Sequence, residues 1–447
     1  MSCKLMPSQD DVSEKSTSMN GPFLTPDWVK QTTIYEVNLR QYTASGTILA
    51  FMQELPRLKE LGIETLWFMP LTPIAKQNRK GGLGSYYACS DYVSINPEFG
   101  TEADFKQLVT KAHEMGFKII IDWVANHTGW DHQWTKQFPE YYLKDTATGT
   151  FKIASGMDDI IELDFSNPAL RRAMIDAMKF WITNFDIDGF RCDLAFWVEV
   201  EFWKEARAEL DQLKPLFWFG EYDQLERPEY GQAFDASYTW TWMHRAKDYY
   251  HQQWSIDSLY AVLNDYDKVE NPTLNVWFTS NHDENSWNGT EYQKYGKMAP
   301  ALAVFSLTWN GVPLVYSGQE IGNRKPVLFF EKDLFEKGPD AEYLKLFYST
   351  LIQLKKKHPA LRAGDPTCKT YRIKTTAPDQ VIAYLRKQGE KEVLVILNLS
   401  DKNDLHFDLI DPLINGVYQN TFSGAANEFM PGTPFEMQAW EYLVYHK

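Results

Sequence analysis

Four short stretches of this 447-residue chain place ionisable side chains at the ends of apolar runs. They are Asp122-Trp-Val-Ala-Asn126-His127, Gly189-Phe-Arg191-Cys-Asp193, Phe219-Gly-Glu221 and Phe278-Thr-Ser-Asn281-His282-Asp283. Arg191 and Asp193 are two apart, so on an extended strand both point to one face. A guanidinium beside a carboxyl favours the ionised form, the state a nucleophile needs. Glu221 follows the apolar run Leu216–Phe219, a setting that raises a carboxyl's pKa, as a general acid needs. Asp283 adds a third carboxyl. Singly, each acid reads as a loop cap or an ion pair, and His127 and His282 read as satisfied core residues. Four such ends in chain order point instead to acid–base and nucleophilic work by carboxyls.

Residues of this kind must be brought together by something rigid, and the surrounding pattern supplies it. Eight apolar runs, Thr33–Leu39, Ile63–Met69, Lys118–Val124, Gly189–Leu194, Leu216–Glu221, Phe234–Trp240, Asn275–Thr279 and Val312–Tyr316, read as strands buried on both faces. Amphipathic segments lie between them, among them Thr47–Leu61 as one helix, with Ile48, Phe51, Met52, Leu55 and Leu58 at helical spacing. Eight strand–helix repeats predict a (β/α)₈ TIM barrel, whose active site lies at the C-terminal strand ends, where the four motifs fall. The barrel is expected over residues 27–363. It carries a short insertion, 129–164, after the third strand, too long for a simple connection and read as an elaborated loop over the mouth. Closely spaced strands after Gly364 (Thr370–Lys374, Val381–Arg386, Glu392–Leu399, Asn403–Leu409 and Trp440–Tyr445) predict a C-terminal antiparallel β-sandwich domain, 364–447. Residues 1–26 read as a mobile polar tail.

Composition narrows the partners. With 45 basic and 60 acidic residues the net charge is −15, which repels phosphate backbones, so nucleic acid is not an expected partner. No run is long enough to span a bilayer. Aromatics make up 15% of the chain, an excess suited to stacking on flat apolar faces as well as to filling a core. Cys3, Cys89, Cys192 and Cys368 form no CxxC pair and read as free thiols of a reducing compartment. The leading stretch lacks an apolar signal core, which points to the cytoplasm. A start further upstream would make Cys3 a lipid anchor or the protein an exported one.

Taken together, the four motifs resemble those of the α-amylase superfamily, glycoside hydrolase family 13. Supporting segments are similar too: Gly84-Ser-Tyr-Tyr-Ala-Cys-Ser-Asp-Tyr92, Ile95-Asn-Pro-Glu-Phe-Gly-Thr101, Ile161-Glu-Leu-Asp164 and Gly311-Val-Pro-Leu-Val-Tyr-Ser-Gly-Gln-Glu320. The resemblance runs from about residue 30 to 360 and implies a substrate of α-1,4-linked glucose units, in malto-oligosaccharides or starch-type glucans. It implies Asp193 as nucleophile, Glu221 as acid and then base, and Asp283 as the group that binds ring hydroxyls of a distorted sugar. Arg191 would orient Asp193, His127 and His282 would hydrogen-bond that sugar, and Tyr87 would stack beneath it. Asp122 would brace the barrel. No cofactor is implied. Many relatives hold a structural calcium at the residue matching Asn126, and the shorter insertion here argues against it, so no metal ligand is assigned.

Retention requires the Asp193 and Glu221 carboxyls to lie about 5–5.5 Å apart. Trp130, Trp134, Trp197 and Trp287 are candidate platforms for further glucose units, and the short insertion suggests an open cleft. An α-glucosidase or glucanotransferase uses the same chemistry with a different attacking hydroxyl. A non-catalytic binding or partner barrel would have lost its carboxylates, and a zinc hydrolase would need three protein ligands that the strand ends do not offer.

Overall fold

A computed structural model describes residues 23–252 and 254–447. Cys3 and residues 1–22 of the expected tail lie outside the described residues; of the remainder, Thr25 donates to Asp235 Oδ1 at 2.7 Å and Phe23 lies under Arg207.

Eight parallel strands close into a barrel: Ile34–Val37 (β1), Thr65–Phe68 (β2), Lys118–Val124 (β3), Gly189–Asp193 (β4), Phe217–Asp223 (β5), Ala236–Tyr238 (β6), Leu274–Trp277 (β7) and Val312–Tyr316 (β8). The ring order is β1-β8-β7-β6-β5-β4-β3-β2, and each lies within the run expected from sequence or extends it by one or two residues. Nearly every strand residue is buried, because helices cover the outside and side chains fill the lumen. Inside, Trp67 meets Phe219 edge-on at 5.9 Å. Register pairs Asp122 with Arg191 and Val124 with Asp193, which sets the charged ends of β3 and β4 at one height.

The helices start and stop where local chemistry says they should. Glu102–Glu114 opens with a capping box from Thr101 and Asp104. Pro168–Phe185 is capped by Asn167, begins on a proline, and ends on Asp186 in the left-handed region. The single helix expected over Thr47–Leu61 is two, Ile48–Met52 and Leu55–Leu61. Pro56 cannot donate to the preceding turn and its ring would strike the carbonyl of Met52, so the helix restarts with Pro56 in its first turn.

The insertion after β3 is a small three-stranded antiparallel sheet, His127–Gly129, Met157–Glu162 and Ile153–Ala154, where a loop was expected. Leu163 N–H ties it to Asn126 O at 3.0 Å. Beyond the barrel, Lys369–Arg372 (β9), Val381–Gln388 (β10), Lys391–Asn398 (β11), Leu405–Leu409 (β12), Gly416–Asn420 (β13), Ala426–Phe429 (β14), Thr433–Met437 (β15) and Tyr442–His446 (β16) form a six-stranded antiparallel sheet, β9-β10-β11-β16-β13-β14, facing the pair β12–β15. One face of the large sheet packs on its own core, with Leu394, Ile396, Phe407 and Met437. The other joins the barrel core through Tyr384, whose ring lies edge-on to Trp309. No helix among the described residues is long and apolar enough to cross a membrane.

Candidate active site

The side chains singled out from sequence converge at the C-terminal mouth of the barrel. Arg191, fully buried on β4, holds the centre. Its Nη1 donates to Asp193 Oδ1 at 2.8 Å and to Asp122 Oδ1 at 3.0 Å, and its Nη2 is ion-paired with Glu221 Oε2 at 3.0 Å. One guanidinium therefore spans the carboxyls on β3, β4 and β5. Immediately after Asp193 the chain turns through Leu194 at φ 41°, a strained conformation for a branched residue. That turn aims Leu194 N–H at Glu221 Oε2, 2.7 Å away, and so fixes the second carboxyl against the first.

On the opposite wall, Asn281 caps the short helix His282–Trp287 and so sets the helix that carries Asp283. Asp283 Oδ2 lies 3.4 Å from His282 Nε2 and its side chain keeps 39% of its surface open to the cleft. His282 Nδ1 is 2.5 Å from Glu36 Oε1, and its Nε2 is 2.6 Å from the Tyr87 hydroxyl. That hydroxyl also donates to Asp122 Oδ2 at 3.1 Å, as does the Trp67 indole at 3.2 Å. The Tyr87 ring stacks on His282 at 5.4 Å. A hydrogen-bonded chain thus runs from Glu36 through His282, Tyr87, Asp122 and Arg191 to Asp193.

Burial pushes the pKa of Asp122, Asp193 and Glu221 upward; Arg191 opposes this without reversing it, and like charge nearby adds to it. The sequence argument that Arg191 alone would keep Asp193 readily ionised is corrected here: one cation serves three carboxyls in a site poor in water. Asp283 is pushed up to about 7 by its water-poor seat and by Glu221, while Arg191 and the Trp287 indole resist. All four acids are therefore shifted toward their protonated forms. His127 is driven down to about 4 by burial and is neutral. Its Nε2 is buried with no partner among the described residues, as is Arg191 Nε, so the site keeps hydrogen-bonding capacity that the fold leaves unused.

Glu36 was missed from sequence as a member of this site. The signal was a lone acid inside the apolar run Ile34-Tyr35-Glu36-Val37. Of the candidate platforms, Trp134 is corrected: it is buried among Tyr92, His132 and Tyr141 under the insertion and cannot meet a ligand. Trp130 is tied to Asp158 O within the insertion. Trp197 lines a cavity of about 720 Å³ between the insertion and the turn after β4. Trp287 stands 56% exposed at the rim.

That cavity also borders Asn126, the position considered for a calcium ion. Its lining carries Glu162 and Asp164, but Lys152 Nζ already lies 2.5 Å from Glu162 Oε2, and the Asn126 side chain meets His127 Nδ1 at 3.4 Å. Among the described residues no group of three or more His, Cys, Asp or Glu is placed to hold a metal ion. The lysine already seated on Glu162 competes with any cation at this position.

Comparison with known proteins agrees with the geometry. Residues 23–146 and 138–337 match the family model described as alpha amylase, catalytic domain. An alpha-amylase of Dictyoglomus thermophilum is 27% identical over 419 residues, spanning 87% of this chain and 69% of that protein. The maltogenic alpha-amylase of Bacillus acidopullulyticus is 25% identical over 480 residues, spanning 94% and 78%. Among solved structures, that of a noncanonic maltogenic alpha-amylase from Thermotoga neapolitana superposes with a TM-score of 0.83 at 30% identity, over 94% of this chain and 99% of that one.

Proposed function

The chain belongs to the alpha-amylase family of glycoside hydrolases, and from that premise we propose that it cleaves α-1,4-glucosidic bonds in malto-oligosaccharides or starch-type glucans by double displacement, with Asp193 and Glu221 as the working pair. The observation that carries this reading is the single guanidinium of Arg191 bridging both carboxyls, through Nη1 at 2.8 Å and Nη2 at 3.0 Å. One cation thus holds both carboxyls beside each other; a separation of about 5–5.5 Å between them is what retention requires, and about 6.5–9.5 Å what inversion requires.

In the first step an Asp193 oxygen attacks the anomeric carbon while Glu221 gives its proton to the departing glycosidic oxygen. Arg191 favours the ionised form of Asp193, and the proton held by the crowded carboxyls is available at Glu221. In the second step Glu221 takes a proton from water, whose oxygen attacks the same carbon and frees Asp193, restoring the α configuration. Asp283 and the neutral His127 bind ring hydroxyls, Tyr87 supports the ring, and His282 joins them from the other wall. Positive charge that develops at the ring in the transition state meets an excess of carboxylate, which is where the stabilisation comes from. The family acts without a cofactor, and no nucleic-acid partner is proposed.

Proton NMR of maltoheptaose during the first turnovers tests the mechanism. The expected initial product carries the α anomer; an initial β anomer would show inversion and defeat the reading, and products longer than the substrate would reassign the enzyme as a glucanotransferase.

A further inference from the structure

The mouth is closed on one side. After β8, residues 325–335 leave the barrel wall, cross above the C-terminal end of β1 and meet the long connection that follows β2. Gln41 Nε2 donates to the carbonyls of Leu328 and Glu331, each at 2.8 Å. Leu83 N–H donates to Phe330 O at 2.9 Å, and Gly82 N–H to Glu331 Oε1 at 2.5 Å. Lys332 Nζ holds Thr43 O at 2.6 Å. The two glycines make this fit: a Cβ at Gly81 would sit 2.5 Å from Phe330 Cβ, and one at Gly82 would sit 2.5 Å from Glu331 Oε2. The segment is therefore a strap, clamped to both neighbouring loops largely through main-chain groups. On its inner side the Phe329 ring lies nearly parallel to that of Tyr87, centroids 6.3 Å apart, and Trp287 packs against Phe329 at 5.3 Å.

We propose that this strap is a stop for the non-reducing end of the glucan, so that the enzyme removes one fixed short unit from that end and does not cut within the chain. The inference rests on the double-displacement reading above. Its geometry comes from the ring order. Glu221 lies on β5 and gives its proton to the leaving oxygen, so the departing, reducing-end portion lies on the β5 side. In a ring of eight, β5 faces β1. The retained sugar and anything attached to its non-reducing side then run toward β1, where the strap stands beside the strand end. Phe329 and Trp287 form the apolar end wall.

The test compares the initial rates and products of maltoheptaoside with those of the same compound carrying a cyclic acetal on the terminal 4- and 6-hydroxyls. A stopped end predicts cleavage of the free compound to one product length, the same from maltotetraose to maltoheptaose, and at least roughly hundredfold slower cleavage of the blocked one. Similar rates on both would overturn the stop and leave the double-displacement reading standing. No cleavage of either would overturn that reading, and the stop with it. A Phe330→Ala/Glu331→Ala variant, with circular dichroism and melting to verify folding, is expected to raise the blocked-to-free rate ratio about tenfold. A folded variant with an unchanged ratio would show that the strap is not what limits the end.

Discussion

Asp188 immediately precedes the five-residue strand β4 and Asp193 ends it, and the fold treats them in opposite ways. At the foot of the barrel, Asp188 accepts from Ile119 N–H at 2.9 Å and lies 2.7 Å from His113 Nε2 and 3.0 Å from Lys118 Nζ. Burial pushes its pKa up, but the His113 and Ile119 contacts and Lys214 outweigh burial and bring it down to about 2. At the mouth, Asp193 shares one guanidinium with two other acids, and burial wins. The arginines differ in the same sense. Arg207 at the foot uses every nitrogen: Nε on Asp211 at 3.0 Å, Nη1 on Ala233 O at 2.9 Å, Nη2 on Asp235 at 2.7 Å. Arg191 at the mouth leaves Nε without a partner among the described residues. Folding alone explains the foot, where the charged groups have their hydrogen-bond partners. It does not explain the mouth, whose surplus negative charge and idle donors suit a ligand with hydroxyls and a developing positive charge.

The sharpest way to break this contrast is to remove the charge at each end of the strand in turn. Asp193→Asn is expected to lower kcat by at least about a thousandfold, with a melting temperature no lower than that of the parent at pH 7, because a carboxyl held above its ordinary range costs native stability when ionised. Steady-state kinetics on maltoheptaose and calorimetry check both halves. A stable Asp193→Asn enzyme with ordinary turnover would end the assignment.

Asp188→Asn should do the reverse, lowering stability by about 1–3 kcal/mol, since it removes the charge shared by the partly exposed Lys118 and Lys214 and weakens the bond from the buried Ile119 amide, with kcat nearly unchanged at low temperature. The pH dependence separates the two ends further. Asp188 has a folded pKa of about 2, below its ordinary 3.8. Its contribution, about 2 kcal/mol, is therefore present above pH 4 and lost as pH falls from 4 toward 2. The mouth carboxyls have the opposite sign: with Asp283 pushed up to about 7, their contribution is present below pH 4 and lost as pH rises toward 7. Urea unfolding from pH 2 to 8 is expected to show an acid-side loss that Asp188→Asn abolishes and an Asp283→Asn gain that grows toward neutrality.

Most of this molecule was legible because its barrel strands are buried on both faces and so read as apolar runs, and the motif acids stand out at their ends. What was not legible depends on partners far along the chain. β13, β14 and β15 are short, half-exposed strands such as Gly416-Val-Tyr-Gln-Asn420; β13 pairs with β14 over the core of Tyr418 and Phe429, and β15 pairs with β12 in the facing sheet. Trp134 looked like a platform because nothing local shows that Tyr92, forty-two residues earlier, will cover it. The strap is invisible for the same reason: nothing local to Gly81 and Gly82 shows that Phe330 and Glu331 will lie against them. The sign of the Asp193 shift failed on arithmetic, since a sequence shows Arg191 as its neighbour and hides that Asp122 and Glu221 compete for the same guanidinium.

The smallest effect sharpens the comparison most finely, because it concerns a mouth residue that looks like a foot residue. Glu36 is fully buried, and Oε1 is occupied by His282 through Nδ1 at 2.5 Å and the amide at 3.3 Å. Yet its Oε2 has no partner among the described residues, and burial raises its pKa despite His282, so it shares the strained character of the mouth. Glu36→Gln keeps the shape and an acceptor for Nδ1 but removes the charge facing the imidazole. If Glu36 serves only packing, kinetics should not change. If it orients His282 and, through Tyr87 and Asp122, the guanidinium that serves both carboxyls, kcat should fall roughly tenfold with KM little changed. Glu36→Ala, which loses the hydrogen bond as well, should fall further, and recovery from Ala to Gln measures how much of the effect is position and how much is charge.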